Sequence, residues 1–153
     1  MAPRRVETEI DQLYQLPLAE FTAARNTLAK TAGADAAEVR KLAKPPIAAW
    51  AVNQLYWRDR ATYDRLIDAA SVRRAAHGKM LSGKGGDIAA AEQTHATATR
   101  KAMEAIRALM SASGQEMTAA TTQAVHDTLQ ALPGSITPGR LTKPLKLAGF
   151  EAL

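Results

Sequence analysis

Hydrophobic residues recur along this chain at the helical period, and no segment alternates between apolar and polar positions as a strand does. The segment that follows Pro17 is representative, because Leu18, Phe21 and Leu28 fall on one face of a helix. The same spacing recurs in every later segment with a regular pattern. The chain is therefore predicted to be all-α.

Helix boundaries follow from the positions of proline, glycine and capping residues. The predicted helices cover residues 6–15, 17–32, 35–42, a fourth segment that starts at 45, then 59–81, 87–113 and 115–132. The fifth and sixth helices flank the sequence SGKGG and are predicted to form a long antiparallel hairpin, with Asp87 as the cap of the sixth. Residues 1–133 are thus expected to form a single-domain bundle of about six to seven helices.

The last twenty residues, 134–153, follow Pro133-Gly134 and are irregular and basic in sequence. Leucines and one phenylalanine recur in this tail as candidate anchors: Leu141, Leu145, Leu147 and Phe150. We expect the tail either to pack on the bundle or to dock a partner.

Residues 45–57 contain no charged side chain, although they include Trp50, Asn53 and Gln54. A helix that is apolar almost all round is typical of a buried position, so we expect a central core helix. The alternative is a helix-turn-helix DNA-binding motif, which requires a recognition helix with an exposed face and is not favoured. Buried amides need hydrogen-bond partners. They either bind loop carbonyls and fix the register of the bundle or line a small cleft.

Arg25 falls inside the apolar stripe of the second helix. A partly buried guanidinium needs a carboxylate or several carbonyls, because an unpaired interior charge is costly. Arg25 is therefore predicted to be a structural clamp or, alternatively, to bind an anionic ligand together with Trp50 and Asn53.

The composition narrows the classes of function. The 153 residues contain no cysteine, so disulfides, thiolate zinc sites and thiol catalysis are excluded. The N-terminus turns acidic where a signal peptide would be apolar, and no uncharged stretch reaches the length of a membrane helix. We expect a cytoplasmic protein with no membrane partner.

The net charge of +5 is compatible with binding to a polyanion. The candidate nucleic-acid-binding residues cluster on the hairpin and in the tail: Arg73, Arg74, Lys79, Lys84, Arg100, Lys101, Lys143 and Lys146. No aromatic residues are interleaved among them to stack bases, so binding would be electrostatic. A solvated basic face is the alternative interpretation.

The sequence does not support three other kinds of site. The glycine-rich loop does not match a phosphate-binding loop, because no strand precedes it and Asp87 competes for the helix amides. The three histidines lack metal-ligand spacing, with Glu92 and His95 as the nearest approach. No serine lies in a nucleophile motif. We therefore expect no catalytic residue, no metal and no cofactor.

Three segments stand out together: LPLAEFTAARNTLAK, KPPIAAWAVNQL and GRLTKPL. They resemble the patterns LPxxFxAARxxL, KPxxAAWAVN and GRLTxxL of a family of uncharacterised, mainly actinobacterial proteins, although this chain has one residue more than the first pattern between Pro17 and Phe21. The resemblance implies an all-helical fold and no particular activity. Its motif residues are Arg25, Lys44, Trp50, Asn53 and Arg140, which suggests a shared polar cluster of ligand-binding or structural character.

Two functions remain as expectations. The first is a non-catalytic binding or scaffold module that recognises nucleic acid or an acidic protein through its basic helix faces and tail. The second is a pocket for an anionic small molecule around Arg25, Trp50 and Asn53. The sequence does not indicate an oligomeric state.

Overall fold

Seven α-helices follow one another in the computed structural model, which describes residues 5–83, 85 and 87–146. They are α1 (Arg5–Leu13), α2 (Phe21–Thr31), α3 (Ala36–Arg40), α4 (Ile47–Arg58), α5 (Arg60–Leu81), α6 (Ile88–Ala112) and α7 (Ala119–Ala131). Single 3₁₀ turns at Leu18–Glu20 and Gly33–Asp35 lead into α2 and α3. No strand occurs among these residues, so the all-α prediction is confirmed.

The apolar side chains form two separate clusters. The N-terminal cluster is made by α1, α2, α3 and the turns between them, with Ile10, Tyr14, Phe21 and Val39 at its centre. The main cluster is made by α4 to α7.

Helix α4 is the central element of the main cluster. Its residues from Ala48 to Leu55 are all buried, and it packs against α5, α6 and α7. The prediction of a buried core helix is therefore confirmed. A helix buried on every side has no face to place against DNA, which removes the helix-turn-helix alternative.

Helices α5 and α6 form the predicted long antiparallel hairpin. Each begins at an aspartate whose side chain accepts a hydrogen bond from a first-turn amide, Asp59 from Thr62 and Asp87 from Ala90. These caps satisfy amides that have no partner inside the helix. Lys84, which was predicted to bind nucleic acid, lies outside the described residues.

Several predicted boundaries were wrong by a few residues. Helix α7 begins at Ala119, four residues later than expected, because Thr118 caps it and the preceding residues close α6. Gly114, at a φ of +73°, allows the amide of Gln115 to bond back to the carbonyl of Met110. This hydrogen bond completes a glycine-terminated helix end.

The start of the second helix also differs, because Pro17 and the 3₁₀ turn precede it and α2 begins only at Phe21.

Residues 134–146, called the tail below, pack on the bundle. Leu141 is buried in the main cluster and Leu145 is partly buried against it. The other two predicted anchors, Leu147 and Phe150, lie outside the described residues. Within the described part of the chain, no helix combines the length and the apolar character needed to cross a membrane.

Candidate functional site

One face of α4 holds the end of α1. Three α4 side chains, spaced four residues apart, donate hydrogen bonds to the three carbonyls that follow α1. The pairs are Trp50 Nε1 with Leu16 O at 2.8 Å, Gln54 Nε2 with Tyr14 O at 2.7 Å, and the Arg58 guanidinium with Gln15 O at 3.0 Å. Carbonyls at a helix C-terminus have no partner within the helix, so these side chains supply one.

A second face of α4 holds the tail. The Asn53 amide is fully buried and exchanges two hydrogen bonds with the main chain of Leu141, at 3.0 and 2.8 Å. One turn further, Trp57 Nε1 donates to Gly139 O at 2.9 Å. Side chains of α4 therefore hold the main chain of the tail by hydrogen bonds.

Arg140 closes the arrangement by reaching from the tail back to α1. Its guanidinium lies 2.7 Å from the Asp11 carboxylate and 2.9 Å from that of Glu7, and it also donates to the Glu7 carbonyl. Burial lowers the pKa of Arg140, but the hydrogen bonds with Asp11 and Glu7 outweigh it and raise the pKa above its ordinary value. We call this set of contacts among α1, α4 and the tail the α1–α4–tail joint.

The structure brings three of the five predicted cluster residues into this joint and leaves two outside. Trp50, Asn53 and Arg140 belong to it, although the partner of Asn53 is the tail rather than the helix of Arg25. Arg25 donates to the carbonyl of Leu42 at 2.9 Å and so ties α2 to the end of α3. Lys44 is exposed.

A groove of about 520 Å³ lies elsewhere, between α6 and α7. Arg100, Arg107 and His126 line it, and no acidic side chain does. The other polar lining residues are Thr99, Thr122, Gln123 and Gln130. The surface of this groove is therefore basic and rich in hydrogen-bonding side chains. We call it the α6–α7 groove.

Behind the groove, α5, α6 and α7 meet at a polar junction. Arg73 of α5 lies 3.2 Å from His95 Nδ1, 3.5 Å from Gln130 Oε1 and 3.8 Å from Glu92 Oε2. The other carboxylate oxygen of Glu92 lies 2.8 Å from His77 Nε2. The hydrogen bond with His77, helped by the charge of Arg73, lowers the pKa of Glu92. We call this set the α5–α6–α7 junction.

His95 is the least satisfied residue of the junction. It is only 2% exposed, and its Nε2 has no hydrogen-bond partner among the described residues. Burial and the neighbouring Arg73 lower the pKa of His95 below its ordinary value, against the opposing effect of Glu92. Folding therefore favours the neutral form of His95.

The predicted nucleic-acid-binding residues do not form one surface. Arg73 belongs to the junction and Arg100 to the α6–α7 groove, whereas Lys79 and Lys101 line grooves between α5 and α6. The remaining described members are exposed on the hairpin and the tail: Arg74, Lys143 and Lys146. Arg107 and His126, which line the groove, were not among the predicted residues.

Sequence reasoning also missed the role of Gly139. A Cβ atom built there would lie 2.6 to 2.7 Å from the rings of Tyr56 and Trp57, and the backbone has a φ of +79°. Only glycine fits both conditions without strain. The GRLT motif contains Gly139 and was the available signal.

No group of three or more histidine, aspartate or glutamate side chains is placed to hold a metal ion within the described ranges. A comparison with family models, with curated proteins and with solved structures finds no match for the chain. The resemblance to the actinobacterial family therefore stays a prediction.

Proposed function

We propose that this chain is a non-catalytic helical module that binds the phosphate backbone of nucleic acid in the α6–α7 groove. The observation that supports this function is the charge of the groove, which has two arginines and a histidine and no acidic lining residue. Arg100 and Arg107 lie seven residues apart on α6, which places them about 10 Å apart along the helix axis. The groove therefore offers two cationic contacts along one line.

Two of the remaining lining side chains, Thr122 and Gln130, fit the same ligand, because threonine hydroxyls and glutamine amides are common donors to phosphate oxygens. The other two already donate within the protein, Gln123 to Asp127 and Thr99 to the His95 carbonyl, each at 2.8 Å. The Glu104 carboxylate lies 4.0 Å from Arg100 in an exposed pair that solvent screens strongly. The guanidinium of Arg100 is therefore available to a phosphate.

The groove favours electrostatic recognition that is independent of sequence. No aromatic side chain lines it, so bases have nothing to stack on. The exposed Lys143, Lys146 and Arg74 lie outside the groove and would add long-range attraction rather than fixed contacts. An intact duplex is thus the best probe.

Measurement of duplex affinity against salt concentration tests the proposal. With about three phosphate contacts, binding should weaken by about tenfold or more between 50 and 200 mM salt. Replacing both groove arginines, Arg100→Gln with Arg107→Gln, should reduce the slope of log K against log salt by about two. Undetectable binding, or binding that does not respond to salt, would remove the proposed function.

A matched control is available on α3. Arg40 and Lys41 are exposed at the end of that short helix, in the N-terminal part of the chain. The double change Arg40→Gln with Lys41→Gln removes the same charge and should leave most of the slope intact. An equal loss in both double variants would mean that net charge, not the groove, determines binding.

The contacts of Arg25, Trp50 and Asn53 disfavour a small-molecule pocket around these residues. The polar groups that would have bound a ligand already donate to main-chain carbonyls, those of Leu42, Leu16 and Leu141. Trp50 and Asn53 are also buried. A ligand would have to break these bonds before it gained any of its own.

A further inference from the structure

The contacts around His95 fix the position of its proton. A guanidinium can only donate hydrogen bonds, so the Arg73 contact at 3.2 Å requires Nδ1 to accept. Neutral histidine then carries its hydrogen on Nε2. This is the buried nitrogen that has no partner among the described residues.

A second proton on His95 would remove the acceptor that Arg73 uses. It would also place an imidazolium 3.2 Å from a guanidinium inside the bundle, where like charges repel strongly. The other titratable groups at the junction are Glu92 and His77, which contact each other at 2.8 Å. From α7 the junction receives the uncharged Gln130.

Arg73 also faces Gln130, on the side of the junction toward α7. The Gln130 oxygen lies 3.5 Å from Arg73, and the Gln130 nitrogen lies 3.5 Å from the Thr99 hydroxyl. Both distances are at the limit for a hydrogen bond, so these contacts hold the Gln130 amide only weakly. Gln130 and Thr99 also line the α6–α7 groove. The junction and the groove thus share a wall.

We propose that protonation of His95 displaces Arg73 from the α5–α6–α7 junction toward Gln130, so that mildly acidic pH adds a third guanidinium to the α6–α7 groove. This regulation rests on the proposed function of the groove. It converts a change in pH into a change in the number of phosphate contacts.

The low pKa of His95 determines the sign of the accompanying change in stability. Because burial and Arg73 lower this pKa, the folded protein binds the proton less readily than the unfolded chain does. The contribution of neutral His95 to the free energy of unfolding is fully present above the pKa of histidine in the unfolded chain, about 6.5. This contribution is lost as the pH falls below that value. Acidification should therefore loosen the junction.

Thermal unfolding tests the junction without any nucleic acid. Between about pH 7.5 and pH 5, the wild type should lose about 3 °C more in Tm than His95→Gln, whose amide can accept from Arg73 but cannot take up a proton. His126→Gln, a change in the groove histidine, should behave like the wild type. An equal loss of Tm in wild type and His95→Gln would overturn the role of His95.

Duplex binding tests the coupling to the groove. The comparison is made in a His126→Gln background, so that the groove histidine takes no part in it. When the pH falls from about 7.5 to about 5.5, the salt slope of His126→Gln should rise by about one, and this rise should be absent in His126→Gln with His95→Gln. Equal rises in these two variants would overturn the regulation alone. An absence of duplex binding at both pH values would overturn the proposed function. The Tm measurement uses no nucleic acid, so its result would stand in that case.

Discussion

The α1–α4–tail joint and the α5–α6–α7 junction are both polar contacts inside an apolar bundle, and they differ in how fully they are paired. In the joint, the hydrogen bonds of Gln54, Asn53 and Arg140 lie between 2.7 and 3.0 Å. In the junction, Arg73 has partners at 3.2 to 3.8 Å and one nitrogen of His95 has none among the described residues. Complete pairing indicates a structural contact, and incomplete pairing leaves room for rearrangement.

The largest expected effect comes from removing the amide at the centre of the joint. Asn53→Ala leaves the buried amide and carbonyl of Leu141 without partners, which should lower the free energy of unfolding by about 2–4 kcal/mol. Urea denaturation measures this loss. Asn26→Ala, at an exposed position, should cost less than about 1 kcal/mol and serves as the control. A small loss for Asn53→Ala would mean that the joint is not structural.

Gly139→Ala should be the next most damaging change. A side chain at a φ of +79° costs about 1–2 kcal/mol, and the overlap with Tyr56 and Trp57 adds to it. We expect a loss of about 2–3 kcal/mol in the free energy of unfolding. Gly83→Ala has a similar φ of +73° and open space around it, so it isolates the backbone cost. Equal losses in the two variants would show that the tail does not pack closely on α4.

Arg140→Ala should lower the free energy of unfolding by less, about 1–3 kcal/mol. Its ion pairs with Glu7 and Asp11 are partly exposed, so water weakens them. The matched change is Arg5→Ala, whose pair with Glu9 involves an almost fully exposed arginine and should contribute less than about 0.5 kcal/mol. Denaturant midpoints of the two variants decide the point. If they coincide, Arg140 does not hold the tail to α1.

The sequence predicted the architecture because its signals are local. The periodicity, the caps at Asp59 and Asp87, and the uncharged run around Asn53 each depend on neighbouring residues. The same signals misplaced the start of α7, because glutamine is a good helix former, but Gln115 takes part in the closure of α6. Local patterns do not distinguish these two uses of one residue.

The candidate site was harder to predict because its contacts join distant parts of the chain. Asn53 was expected to need a buried partner, but the partner, Leu141, lies 88 residues away. The α6–α7 groove depends on how two helices lie side by side, and neither Arg107 nor His126 stands out in the sequence. The distribution of charged residues along the sequence indicated Arg100 as a candidate, but it did not indicate the groove that Arg100 lines.

The most direct test of the distinction between structural and functional polar sites compares the groove with the joint in one experiment. Unfolding free energy and the salt slope of duplex binding would be measured for Arg100→Gln with Arg107→Gln and for Asn53→Ala. We predict that the groove variant keeps its stability within about 0.5 kcal/mol and loses about two units of slope. The folded fraction of Asn53→Ala should bind with the wild-type slope despite its lower stability. An unchanged slope in the groove variant would contradict the account.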